Sequence, residues 1–280
     1  MEKWRLIADS SCDLSPQAFH EQAVGFSTVP LKIVVGEKEF VDLPDTDIAE
    51  MLSCMKTFKS ASSSACPSPE AFAEEFRKAA NSIAVTLTSG LSGTYNCAVQ
   101  AMRMVLEEEP ERRIHVVDSR STAGSMVLLL RRLMDLIAQE LSFEQVVEQI
   151  ESYRNDMHIL FSLASFDNLV KTGRMSRAAG VLASALNIRA VATNTSEGTI
   201  SVLEKPRGEK KAIDRMVALM STFKDPTGKP VVITHCNNPA GAEAIRQAVQ
   251  KAYAVSDITV LSTRCLTSFY SGDQGLLLCF

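Results

Sequence analysis

The 280-residue chain is 46% hydrophobic and 22% charged with a formal net charge of −4, the make-up of a folded chain with a real core and not of a disordered one. Its 29 basic and 33 acidic residues offer no global attraction to nucleic acid or to an acidic membrane surface. The 7 cysteines are odd in number and lack a CxxC pair, and the 4 histidines show no metal-ligand spacing, which argues against a disulfide framework or a zinc site and for reduced thiols in a cytoplasm.

The first apolar run, Trp4–Ala8, reads as a strand ending in Asp9-Ser10-Ser11; it has no long apolar core of the kind a signal peptide carries. Ser15 and Pro16 have the chemistry of a helix N-cap and first position. Val29–Val35 reads as a second strand. Ser68-Pro69-Glu70 opens a helix running to about Ala80, with Ala71, Phe72, Phe76 and Ala79 on one face. Strand Ile83–Leu87, helix Gly93–Leu106, strand Ile114–Val117 and helix Ala123–Gln139 follow. The run Met126–Ala138 is the most apolar, yet Arg131, Arg132 and Asp135 interrupt it, so no integral membrane segment is expected. Such alternation implies a parallel sheet covered on both faces.

In the second half, helix Phe143–Tyr153 leads to strand His158–Leu163. Strands Ile200–Leu203, Val231–Thr234 and Ile258–Leu261 alternate with helices Lys210–Phe223 and Ala240–Tyr253. A boundary near residue 155 divides the chain into expected domains of 1–155 and 156–280.

Ligands of parallel sheets bind beyond the carboxyl ends of the strands. Three strands end in Asp9-Ser10, Thr88-Ser89 and Asp118-Ser119, which brings their hydroxyls to one rim. The segment Thr86-Leu-Thr-Ser-Gly-Leu-Ser-Gly-Thr94 is the richest of these. A helix starting there offers free N–H groups and a partial positive charge. Gly90 and Gly93 allow close backbone approach, and Ser92 and Thr94 can cap the helix or donate to an anion. A phosphate loop is missing its Lys, and a nucleophile elbow is missing its second Gly, since Thr94 stands there. His115 lies inside a strand and reads as structural; His235 ends a strand, within reach of a site. The basic turns Lys171–Arg177 and Arg207–Lys211 read as solvated turns or as clamps for an acidic group.

The ordered set DSSCDL (9–14), VPLKI (29–33), FVD (40–42), PSPEAF (67–72), SGLSGTY (89–95), VVDSRST (116–122), LVKTGRMS (169–176), LNIR (186–189) and PRGEKKA (206–212) resembles the DegV family over nearly the whole chain. The resemblance implies a two-domain α/β fold: an N-terminal, Rossmann-like domain on a parallel sheet and a C-terminal α/β domain, with the ligand at their interface. It implies a cytoplasmic lipid carrier without catalytic residues or cofactor, holding one long-chain fatty acid in a buried tunnel and presenting its carboxylate to a separate fatty-acid kinase in phospholipid metabolism. On the family pattern the carboxylate falls to Ser92, with Gly93 and Thr94 beside it, and to Ser64 of a loop that reads Ser64-Ala65-Cys66-Pro67-Ser68 here. Arg174 and Arg207 lie in the family's basic turns, facing the kinase or the transferred phosphate. The family's His-x-Gly-Pro-Gly turn becomes Tyr270-Ser271-Gly272-Asp273-Gln274, and Ala190 stands where Pro is usual. Tyr270 keeps one hydrogen-bond donor but no positive charge, and Asp273 adds a negative one. The alternative is an enzyme acting on a small carboxylated or phosphorylated metabolite at the same rim.

Overall fold

Apolar residues run unbroken through Leu6-Ile7-Ala8 and Ile83-Ala84-Val85, the pattern of strands buried on both faces. In the structure, a computed structural model describing residues 2–19, 24–58, 62–176 and 187–280, these runs lie side by side at the centre of a parallel sheet. The sheet consists of β1 (Glu2–Asp9), β2 (Gly25–Val29), β6 (Ala79–Thr86) and β7 (Arg113–Asp118), in the order β2-β1-β6-β7. Strand order reverses between β1 and β6, and ligands of open α/β sheets bind at such a point. A small antiparallel sheet, β4-β3-β5, joins β3 (Lys32–Val35), β4 (Lys38–Val41) and β5 (Ser63–Ala65).

The helices of this half are α1 (Ile48–Thr57), α2 (Pro69–Phe76), α3 (Thr94–Glu108), α4 (Gly124–Ala138) and α5 (Phe143–Asn155). Helix α5 begins with a full capping box between Ser142 and Gln145. The second half contains β8 (Ile159–Ser162), α6 (Asp167–Lys171), β9 (Val191–Asn194), β10 (Ile200–Glu204), α7 (Glu209–Phe223), β11 (Pro230–His235), α8 (Pro239–Ala252), β12 (Asp257–Ser262), α9 (Cys265–Ser271) and β13 (Leu276–Cys279). Its mixed sheet has the order β10-β9-β8-β13-β11-β12, and only the β11–β12 pair is parallel.

Helix α4 packs against β6 of one sheet and against β11 and β13 of the other. That is why its sequence is apolar on most of its circumference. A Cβ on Gly124 would stand 2.8 Å from Val232 and 3.0 Å from Cys279, so a glycine lets the helix start this close to the second sheet. One hydrophobic core runs from Leu6 and Val85 through α4 to Phe161 and Leu277, uniting the two halves.

Several expectations are corrected. Val29–Val35 is not one strand: Pro30 has no N–H for a ladder, and the chain changes sheets there, β2 pairing with β1 and β3 with β4. Residues 16–19 form a turn and not a helix; the backbone instead makes a 3-10 turn at Ser10–Cys12, capped by the Asp9 carboxylate, and His20 lies outside the described residues. Helix α2 stops at Phe76, and the stretch from Ala79 begins β6, because Ala79 pairs with Glu2. Helices α1, α6 and α9 and strands β4, β5, β9 and β13 were not expected. Leu186 of the family-like LNIR stretch and Arg177 of the basic turn lie outside the described residues.

Candidate functional site

Parallel pairing brings the three Asp/Thr-Ser strand ends together, but most of their polar groups are spent on one another. The Asp9 carboxylate is wholly buried and accepts from Ser11 N (3.0 Å), Ser11 Oγ (2.5 Å) and Leu87 N (2.6 Å). Burial pushes its pKa up to about 6, against the lowering pull of those donors. Asp118 accepts from Ser89 N (3.1 Å) and Ser89 Oγ (2.5 Å). Thr88 Oγ1 donates to Gly198 O in the β9–β10 turn at 3.0 Å. Gly198 has φ +73°, and a Cβ there would stand 1.9 Å from Thr88 Oγ1, so both the turn and the contact require glycine. The rim hydroxyls expected as ligand groups thus shape the loop, and Ser92 and Thr94 remain at its end.

Beyond this loop lies a cavity with about 850 Å³ of empty space, its opening to solvent included. Leu31, Leu87 and Leu91 line it from the first half; Ile159, Phe161 and Leu277 line it from the second sheet. Ser64, Ser92, Arg174 and Tyr270 are also on its wall. The cavity therefore sits between the halves at the switch point, and its exposed surface is overwhelmingly apolar.

Three hydroxyls on this wall, Ser92, Ser64 and Tyr270, take part in hydroxyl pairs, while Thr94 and Gly93 lie behind Ser92 and off the wall. Ser92 Oγ and Thr94 Oγ1 are 2.9 Å apart, and Thr94 N donates to Ser92 Oγ at 3.3 Å. Ser64 Oγ and Tyr270 OH are 2.7 Å apart. A hydrogen bond between two hydroxyls uses one of their two protons, so each pair retains one O–H to donate elsewhere. Helix α3 has Gly93, without a side chain, at its N-cap and no acid in its first turn; apart from the Thr94 N–H held by Ser92, its end keeps its partial positive charge. Gly93 is exposed and Thr94 is buried.

Tyr270 is placed by α9. Asp42 accepts the first N–H groups of that helix, from Cys265 and Leu266, at 3.0 Å each. Arg264 donates to the carbonyls of Leu14 and Asp42 at 2.6 Å, and its N–H donates to Asp13 at 2.7 Å. The helix from the second half is thereby anchored in the first, with Tyr270 against Ser64.

Arg174, expected to face the kinase or the transferred phosphate, lies half-buried in the cavity wall, where it donates to Leu91 O at 3.2 Å and Thr172 O at 2.7 Å. Arg207 is exposed and bridges Ile188 through its backbone. Asp273 is not directed at the cavity: it accepts from Lys56 and Asn237, each at 3.1 Å, and these partners hold its carboxyl below the usual range. His235 is buried, accepts from Asn238 N at 3.3 Å and is absent from the cavity wall. His115 bonds Glu151 at 2.9 Å. Reading the sequence missed Asn194 and Thr199 of the β9–β10 hairpin and Thr267 of α9, all on the cavity wall. Their one signal is a hydroxyl or amide in short runs with no clear periodicity.

Among the described residues, no group of three or more His, Cys, Asp or Glu side chains is placed to hold a metal, and no helix is long and apolar enough to cross a membrane.

A sequence model described as an uncharacterised protein of the DegV family matches residues 3–279. A DegV domain-containing protein of Streptococcus pyogenes serotype M1 is 40% identical over 275 residues, covering 98% of each chain. The Streptococcus pneumoniae fatty acid kinase (Fak) B3 protein, solved loaded with linoleic acid, is 38% identical and superposes with a TM-score of 0.93 over 99% of both chains. A DegV family protein from Eubacterium eligens, loaded with heptadecanoic acid, is 34% identical with a TM-score of 0.93, over 99% of this chain and 98% of that one. The collinear motifs, the two-sheet layout and the agreement from end to end have one consequence: this chain belongs to the DegV family.

Proposed function

We propose that the protein binds one long-chain fatty acid and presents its carboxylate to a separate fatty-acid kinase. The observation that carries this reading is the cavity itself: an apolar space between the halves with Ser64, Ser92 and Tyr270 on its wall, Ser64 paired with Tyr270 and Ser92 paired with Thr94 at the start of α3. The acyl chain lies against Ile159, Phe161, Leu277 and their neighbours, where burial of apolar area contributes roughly 25 cal/mol per Å². The carboxylate accepts one O–H from the Ser92–Thr94 pair and one from the Ser64–Tyr270 pair, while the N-terminus of α3 behind Gly93 favours its charge. Arg174, bonded to the carbonyl of the residue before Ser92, supplies the positive charge that Tyr270 lacks, at the place a transferred phosphate would occupy. Arg207, exposed on the second half, faces the kinase. Fatty-acid loading of the 38% and 34% identical relatives supports the ligand class, and the kinase system named for the first supports the partner. The domains divide near residue 155, and the protein acts in the cytoplasm.

The test is mass spectrometry of an organic extract of the purified protein, paired with thermal unfolding in added oleate. One acyl chain per protein is expected. Saturating fatty acid at about 100 times Kd adds about 2.7 kcal/mol of stability. An extract without stoichiometric acyl ligand, together with an unmoved transition, would sink the proposal.

A further inference from the structure

Cys66 and Cys97 are distant in sequence, and their sulfurs are 3.5 Å apart. Cys66 is exposed in the loop that leaves β5, two residues past Ser64. Cys97 lies in the first turn of α3, behind Ser92 and Thr94. The backbone of Gly93 runs so close that a Cβ there would stand 3.7 Å from the Cys66 sulfur. The two thiols thus span the two segments that carry the two hydroxyl pairs. The remaining cysteines do not share this setting: Cys12, Cys236, Cys265 and Cys279 are buried, and Cys54 is elsewhere on α1.

We propose that Cys66 and Cys97 form a redox modification site: a peroxide joins them in a disulfide that clamps together the two segments carrying Ser64 and Ser92 and slows exchange of the bound fatty acid. The exposed Cys66 sulfur attacks a peroxide oxygen first. The O–O bond breaks, Cys66 becomes a sulfenic acid, and with hydrogen peroxide as oxidant one water leaves. The Cys97 sulfur then attacks the Cys66 sulfur, the S–O bond breaks, and a second water leaves with the Cys97 proton. In sum two thiols lose two electrons and two protons, and one hydrogen peroxide becomes two waters. The sulfurs need to close from 3.5 Å to about 2.05 Å, a shift within reach of an exposed loop. Burial, and then the hydrogen bond with Cys66, push the Cys97 thiol up to about 11, so Cys97 is the slower, resolving partner and the second step quickens as pH rises.

The link acts on exchange because a ligand leaves a cavity when its wall segments move, and Ser64 and Ser92 lie on that wall in the segments beside the two thiols. A covalent link between the β5–α2 loop and the first turn of α3, both in the first half, removes the motion of these two segments relative to one another and leaves the hydroxyls of the seat free.

The effect on exchange rests on the fatty-acid reading; the dithiol chemistry does not, and two measurements separate them. The full-length protein is treated with hydrogen peroxide, alkylated, and its peptides are mapped. Two alkylatable thiols should disappear of the 7, with a Cys66–Cys97 linked peptide that dithiothreitol cleaves. Displacement of cis-parinaric acid, a fluorescent fatty acid, should slow at least about tenfold on oxidation and recover on reduction. Cys66→Ser and Cys97→Ser should each exchange at the reduced wild-type rate with or without peroxide. Oxidation of Cys66 to its sulfinic acid without the linked peptide overturns the site. A linked peptide with an unchanged exchange rate overturns the clamp. Failure of parinaric acid to bind the reduced protein overturns the fatty-acid reading and the clamp with it, while the peptide map still decides the dithiol.

Discussion

Ser92 and Tyr270 do unequal work, although each belongs to a hydroxyl pair. Ser92 Oγ accepts from Thr94 N and pairs with Thr94 Oγ1. Removing it takes away one of the two donors proposed for the carboxylate and leaves the Thr94 N–H without its acceptor. Loss of a hydrogen bond to a charged group costs about 1.5–3 kcal/mol, so Ser92→Ala should weaken fatty-acid binding by roughly 10–150-fold in a fluorescence titration. Tyr270→Phe leaves Ser64 with its own proton, now free for the ligand. Its cost should be nearer that of a neutral bond, about 0.5–1.5 kcal/mol. Equal losses in the two variants would contradict this division. Ser92 stood out in the sequence as a candidate because glycines and hydroxyls at a strand-to-helix turn can cap the helix or donate to an anion. The partnership of Tyr270 with Ser64 was not legible, since 206 residues separate them.

At the scale of elements, the seat depends on α9, a helix too short and too mixed for periodicity to reveal. Its N-terminus is held by Asp42, fully buried, with Arg264 beside it. Removing one partner of a buried ionic cluster typically costs about 3–5 kcal/mol. Asp42→Ala should therefore lower stability by that order in urea unfolding, and should weaken fatty-acid binding in the fraction that stays folded, because Tyr270 loses its register against Ser64. Unfolding curves that superpose with wild type would remove Asp42 from this role. Sequence reading identified FVD (40–42) only as part of a family resemblance; its task of holding a helix 223 residues away belongs to the tertiary structure.

For the whole molecule, the strand ends that looked like a ligand rim are also where the first sheet is tied together, and that tie titrates. Burial pushes the folded Asp9 carboxyl up to about 6, above the ordinary aspartate value of 3.8. The folded state holds this proton more tightly, so the group's contribution to stability is complete below pH 3.8 and is lost as pH rises through about 6. Asp9→Asn removes the titration. The stability of wild type minus that of the variant should fall by about 2 kcal/mol between pH 4 and pH 7, measured by urea unfolding across that range. Carboxylates shifted the other way, such as Glu243 at about 2, are present in both proteins and cancel in the difference. A difference flat with pH would show that Asp9 keeps an ordinary pKa.

The sequence by itself determined the elements whose signal is local. Apolar runs placed β1 and the centre of β6, caps and periodicity placed α3, α4, α5, α7 and α8, and the βα alternation implied the parallel first sheet. Ser92, Gly93 and Thr94 were visible for the same reason, since a loop-to-helix turn is written in consecutive residues. The tertiary structure decided what depends on partners far along the chain: that Pro30 hands the chain from one sheet to another, that α4 fills the space between the sheets, and that β8, β9 and β13 pair antiparallel. It also turned Arg174 into the cavity wall, turned Asp273 away toward Lys56, and brought Cys66 against Cys97. A cavity is the space left when distant surfaces pack imperfectly, and no run of neighbouring residues encodes it. Of its polar residues, Ser92 lies in a loop whose chemistry is written in consecutive residues; its apolar wall was not legible, because a leucine lining a cavity and a leucine filling a core look the same in sequence.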